Sequence, residues 1–247
     1  IKTPKLHFLG RDFSQADVSL RPREGGWQIG LNMREAVGDL LWRSAGEGSL
    51  EGRLRRLVLR PAVEVPGAPV NSLLNSLPSI TLAVDEFYLG EKQMGQLDLN
   101  ARNDKGAWQL DTLNLKNSDG QLRSRGIWQN KGRQQMRLDF DLLANDIGKL
   151  LERLGYGDGV KRGAGGLAGS LEWEGAPTAI HYPSMSGKLV LNAEQGQFNK
   201  LEPGVGKLLG LISLQSLPRR LTLDFRDIFS DGLAFDSIEA KLSVRKG

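Results

Sequence analysis

Apolar and polar residues alternate along much of this chain. Met136, Leu138, Phe140 and Leu142 are separated by Arg137, Asp139 and Asp141. Leu221, Leu223 and Phe225 alternate with Thr222, Asp224 and Arg226, and Ile238, Ala240, Leu242 and Val244 with Glu239, Lys241 and Ser243. Leu167, Gly169, Leu171 and Trp173 do the same against Ser170, Glu172 and Glu174. A period of two puts the apolar members on one face of a strand and the charges on the other. Such strands are half-buried and antiparallel, unlike the continuous apolar runs of a parallel sheet.

Turn chemistry separates these runs. Asn103-Asp104-Lys105-Gly106 precedes Trp108, Asn117-Ser118-Asp119-Gly120 precedes Leu122, Asn130-Lys131-Gly132 precedes Met136, and Glu194-Gln195-Gly196 precedes Phe198. Gly and Asn supply the positive φ of tight hairpins, and the spacing is that of a β-meander. A loose repeat is visible as well. Gly25-Gly26-Trp27-Gln28-Ile29 resembles Gly106-Ala107-Trp108-Gln109-Leu110, and each copy is followed by a second tryptophan, Trp42 or Trp128. Repetition of this kind predicts similar hairpins stacked along one axis.

Three short helices are expected. Asn145 or Asp146 caps the first, where Ile147, Leu150, Leu151 and Leu154 form a stripe and Gly155 is the stop. Pro203 opens a second over 203–213, with Val205, Leu208, Leu209 and Ile212 on one face. A shorter turn spans 71–77. These helices are expected to cover the apolar sheet face, since their polar sides carry too few Lys and Arg for membrane-surface binding.

Composition narrows the picture. The 247 residues are 39% hydrophobic and 25% charged, enough for a real core. Lys and Arg exceed Asp and Glu by only 33 to 29, spread along the chain, which is no nucleic-acid footprint. Arg53, Arg55, Arg56 and Arg60 are interrupted by leucines and read as a solvated strand face. The absence of cysteine excludes disulfides, thiolate catalysis and Cys-based zinc sites. The longest apolar run, around 208–214, is far short of the ~20 residues of a spanning helix. The chain starts at Ile1 without methionine and ends in a strand-like pattern at 242–244, so it is expected to be a piece of a longer protein.

Catalytic motifs are weak throughout. His7 and His181 lie in separate segments with no ligand-spaced partner, and no Gly-x-Ser-x-Gly elbow occurs. Gly163-Ala164-Gly165-Gly166-Leu167-Ala168 fits a dinucleotide fingerprint in letters only, because it follows a helix and leads into a strand; it is expected to be a flexible connector. Asp139 with Asp141, and Glu172 with Glu174, sit side by side on solvated faces without the burial that raises a catalytic pKa. Asn117-Ser118-Asp119-Gly120 lacks the terminal Glu of a calcium loop. The five tryptophans close strands, which points to core or girdle packing rather than base stacking.

Residues 201–225 read Leu-Glu-Pro-Gly-Val-Gly-Lys-Leu-Leu-Gly-Leu-Ile-Ser-Leu-Gln-Ser-Leu-Pro-Arg-Arg-Leu-Thr-Leu-Asp-Phe, followed by Asp227-Ile228-Phe229 and Gly232-Leu233-Ala234-Phe235-Asp236. This end region resembles that of the YhdP group of AsmA-like proteins. The Gly-x-Trp-Gln repeats resemble the body of the same proteins. The resemblance implies kinship with bridge-like lipid-transfer proteins, in which a long curved β-sheet forms an apolar trough. It also implies an inner-membrane anchor outside this chain, a periplasmic course, and movement of phospholipid towards the outer membrane.

The resulting expectation is a mostly β protein: an elongated, curved antiparallel sheet forming an apolar groove, with two or three short covering α-helices. Residues 1–143 would carry β-groove repeats and 144–247 a helix with a C-terminal β-groove and cap, or the two would form one continuous domain. About a dozen strands of five or six residues, each ~17–20 Å long, would extend ~60 Å. The expected lining is Leu97, Leu99, Leu110, Met136, Leu138, Phe140, Leu171, Leu189, Leu191, Leu221, Leu223 and Phe225. Leu208, Leu209 and Ile212 would meet the acyl path at an end helix, and Arg219 and Arg220 would meet head groups. No enzyme activity, cofactor, metal or nucleic-acid partner is expected; phospholipids and membranes are the expected partners. The rivals are a scaffolding β-domain of the envelope with a self-filled core, and a hydrolase of envelope lipids or glycans.

Overall fold

The computed structural model describes residues 1–8, 11–60, 77–104, 107–130, 133–157, 159–177, 180–199 and 233–247. Among the described residues thirteen strands form one sheet, paired in the order in which they occur along the chain. They are β1 (Lys2–Phe8), β2 (Arg11–Arg23), β3 (Gly26–Asn32), β4 (Ala36–Arg43), β5 (Ser49–Leu59), β6 (Ser79–Leu89), β7 (Lys92–Asp104), β8 (Ala107–Lys116), β9 (Gly120–Asn130), β10 (Gln134–Ala144), β11 (Val160–Glu174), β12 (Ser186–Phe198) and β13 (Leu233–Arg245). Twelve successive pairings at ~4.8 Å give a sheet ~58 Å long. The pairing runs unbroken from β10 into β11, with ten opposed positions from Gln135↔Glu174 to Ala144↔Gly165.

Three features differ from the sequence expectation. The strands have seven to fifteen residues rather than five or six; turn residues mark where a strand stops but not how much of the flanking polar chain stays paired. All pairings are antiparallel except β5 with β6, which run parallel from Ser49↔Ser79 to Leu59↔Leu89. A hairpin cannot make that junction, and nothing in the local alternation distinguishes it. Gly163-Ala164-Gly165-Gly166-Leu167-Ala168 is no connector but the body of β11. Glycine is needed there because a Cβ on Gly165 would come within 2.2 Å of Asn192 O. Glu194-Gln195-Gly196 likewise lies inside β12, where Gln195 has a φ of 53° opposite Gly163 at 83°, so this signal marks a distorted stretch of strand instead of a turn.

Among the described residues there is one α-helix, α1 (Ile147–Leu154), fewer than the two or three expected. Its ends follow the sequence. The Asp146 side chain accepts from Lys149 N at 3.0 Å, and Gly155 takes the left-handed conformation at φ 87°. Gly148 is the close-approach point: a Cβ there would meet Val160 O and Arg162 N at 2.9 Å. Arg153 reaches Gln93 O and Lys92 reaches Leu154 O, so α1 lies across the strand ends at the starts of β7 and β11. The expected helix over 203–213 lies outside the described residues, as does nearly all of the turn over 71–77. A single 3₁₀ turn, Tyr182–Ser184, sits at the opposite strand ends.

The candidate functional site is an apolar sheet face

Opposed residues in paired strands share a face, so the register traces the apolar surface rung by rung. On β10, Met136, Leu138 and Phe140 oppose Trp173, Leu171 and Gly169 of β11, and Trp128, Gly126 and Ser124 of β9. The face continues through Leu189 and Leu191, opposite Gly169 and Leu167, to Leu242 and Ala240 of β13. In the other direction Leu113 and Leu115 oppose Leu99 and Leu97, which oppose Leu82 and Val84. The parallel pair keeps the face, because Leu82 and Val84 lie beside Gly52 and Leu54. Leu40, Ile29 and Leu20 carry it on to β2.

Leu97, Leu99, Leu110, Met136, Leu138, Phe140, Leu171, Leu189 and Leu191 therefore lie on one face. Leu221, Leu223, Phe225, Leu208, Leu209, Ile212, Arg219 and Arg220 lie outside the described residues. Three buried clusters run along the face and share members. Ala16, Val18, Met33 and Ala36 form the first. Leu54, Val84, Phe87 and Leu97 form the second, joined to the first through Leu31 and Leu57. Ala101, Leu110, Trp128, Met136 and Trp173 form the third, joined to the second through Leu99 and Leu113. The face is also corrugated. The Leu189 and Leu171 methyls lie 2.8 and 3.0 Å from where Cβ atoms would sit on Gly169 and Gly187, so large side chains lie flat over glycines.

The other face carries paired charges, most of them across strands. Arg125 and Arg137 flank Asp139 at 3.8 and 3.7 Å, and Arg137 also reaches Glu172 at 3.5 Å. Arg102 pairs with Asp111 at 3.0 Å and Arg53 with Asp85 at 2.8 Å. Exposed pairs of this kind contribute little to stability each, but they hold the face in water. A depression of about 400 Å³ on this side is lined by Asp111, Arg123, Arg125, Asp139 and Asp141, of which Asp111, Arg125 and Asp139 are in ion pairs.

Two polar arrangements were not legible in the sequence. Asp119, in the β8–β9 turn, is buried and takes a two-pronged contact from Arg153 of α1, with Nε at 2.9 Å. Ser118 Oγ donates to its other oxygen at 2.8 Å. The Arg153 guanidinium holds the Asp119 carboxyl below its ordinary value, against the opposing effect of burial. The pair spans 34 residues, so no local motif announces it. The second arrangement is His181 Nδ1, 2.9 Å from Ser184 Oγ. Ser184 Oγ also donates to His181 O at 3.0 Å and accepts from Glu174 N at 2.9 Å. It caps an exposed 3₁₀ turn. Among the described residues no carboxylate bonds the imidazole, so this contact has the parts of a turn and not those of a hydrolase dyad. Among the described residues no group of His, Asp and Glu could hold a metal ion, and no helix is long and apolar enough to cross a membrane.

One sheet with a continuous apolar face, a charged reverse face and no concentrated polar constellation among its described residues defines a surface-presenting β protein. The family model of the YhdP protein matches residues 1–247, and the chain belongs to the YhdP family. The resemblance carried by residues 201–225 thus extends over the whole sequence. The chain is similar to the intermembrane phospholipid transporter YhdP of Escherichia coli (strain K12), at 21% identity over 259 residues covering 100% of this chain. It spans about a fifth, 20%, of that relative's length. No solved structure matches.

Proposed function

We propose that this chain is a stretch of a lipid conduit, in which the apolar face holds phospholipid acyl chains and lets them pass along the sheet between the inner and outer membranes. The observation that carries this reading is the unbroken apolar face through successive rungs from β2 to β13. A relative named as an intermembrane phospholipid transporter supports the cargo. Burial of Leu97 to 4% and Met136 to 2% exposure within one sheet supports a concave face, because side chains on a flat sheet would stand half in water. At about 0.8 kcal/mol per buried CH₂, a continuous strip of this kind is a strong acyl sink without being one tight site. In this reading the chain is a periplasmic portion of an envelope protein whose anchor lies elsewhere. Leu208, Leu209 and Ile212 gate one end of the path, and Arg219 and Arg220 receive phosphate head groups there.

The buried clusters give the rival its footing: a scaffolding domain whose apolar face is filled by its own leucines and glycines. Unbiased lipid extraction and mass spectrometry of the purified chain separates the two. Stoichiometric phospholipid is the expected result. A chain that purifies empty and takes up no phospholipid from vesicles is a scaffold.

A further inference from the structure

All five tryptophans of the sequence stand at one end of the strands and on the apolar face. Trp27 is the second residue of β3 and Trp42 the next-to-last of β4, and they oppose one another. Trp108 and Trp128 form the same pair in β8 and β9, and Trp173, next-to-last in β11, opposes Met136 beside them. The other rim of the face is aliphatic or phenyl, with Leu97, Leu115, Leu142 and the Phe198–Phe235 pair, whose tilted rings have centroids 5.1 Å apart. The apolar face thus has two chemically unlike rims.

Indole has an apolar body and one N–H donor, which is why it collects where hydrocarbon meets a polar layer. Trp108 Nε1 donates to Pro78 O at 3.3 Å and Trp173 Nε1 to Ala176 O at 3.1 Å. Trp128 is 5% exposed, and its Nε1 has no hydrogen-bond partner among the described residues. A buried donor left unmade is costly, and here it lies on the apolar face itself. From Trp108 to Leu115 the strand advances seven residues, ~23 Å. One acyl chain laid along the strand fits that span, since a single leaflet of bilayer hydrocarbon is ~15 Å deep.

Resting on the conduit reading, we propose that the tryptophan rim takes the glycerol–phosphate end of each lipid. The acyl chains then lie along the strands towards the Leu115 rim, and Trp128 Nε1 donates to an ester or phosphate oxygen. The lipid travels along the sheet with its head at one fixed rim.

Because every tryptophan stands at that rim, intrinsic fluorescence reports on it alone. The chain is loaded with phosphatidylethanolamine brominated either near the ester end or near the methyl end of its acyl chains, vesicles are removed by centrifugation, and bound lipid is counted by phosphate. Stronger quenching by ester-end bromine is expected. Stronger quenching by methyl-end bromine puts the heads at the other rim and overturns the assignment, and equal quenching, or none with lipid bound, overturns any fixed rim. No bound lipid at all overturns the conduit reading instead. Trp128→Phe keeps the ring and removes the donor, and should weaken retention of the lipid about three- to tenfold; unchanged retention overturns the Trp128 hydrogen bond.

Discussion

Leu138 and Asp139 are neighbours in the chain and lie on opposite faces of β10, so the conduit reading predicts opposite consequences for changing them. Leu138→Asp places a charge among apolar side chains, at a cost of several kcal/mol wherever hydrocarbon must pass. It should abolish phospholipid transport in cells while the folded protein persists, whereas Asp139→Ala or Glu172→Ala should leave transport unchanged. Loss of transport with Glu172→Ala and retention with a folded Leu138→Asp variant would sink the conduit and revive a hidden catalytic site. Asp119 gives a test of stability. Its carboxyl lies below the ordinary value of 3.8, so the stabilisation from Arg153 is present above that value and lost as pH falls through the folded-state value. Asp119→Asn should therefore cost about 2–4 kcal/mol in denaturant unfolding at neutral pH and progressively less in acid. Alternation made the faces legible residue by residue. The Asp119–Arg153 contact was illegible because its two halves meet only when α1 folds back across the strand ends.

At the scale of elements, α1 was readable to within a residue because capping and the apolar stripe are local. The parallel junction of β5 and β6 was not, since strand direction is a property of the whole sheet. The repeat was readable in part: its two tryptophans per copy prove to be opposed partners, Trp27 with Trp42 and Trp108 with Trp128. The segment 201–225 carries the proposed gate, and its chemistry gives two separable outcomes. Under the gate reading, changing Arg219 and Arg220 together to Glu should impair lipid delivery without lowering the melting temperature, because charges that serve head groups rather than a core contribute little to folding. Leu209→Ala should cost about 2–5 kcal/mol of stability if the helix only covers a core. A silent double reversal in a transport assay removes the gate.

Over the whole molecule, among the described residues, each inner strand is held by two neighbours, and β1 and β13 by one each. Hydrogen exchange should accordingly be slowest in β7 to β10 and fastest in β1 and β13; uniform protection would mean that the sheet unfolds only as a single unit. The parallel junction has a further effect. The first Gly-x-Trp-Gln copy begins β3 and the second begins β8, five strands later. In a strictly alternating sheet an odd displacement reverses direction, and Trp108 and Trp128 would stand at the rim opposite Trp27 and Trp42. One parallel step between the copies restores the parity and brings all the indoles to the same side. A sheet of this kind can thus be lengthened by duplication only in even sets of strands, or in odd sets that each carry one parallel crossing. Adding a single hairpin strand anywhere between the copies would split the aromatic row between two rims and leave every apolar rung intact.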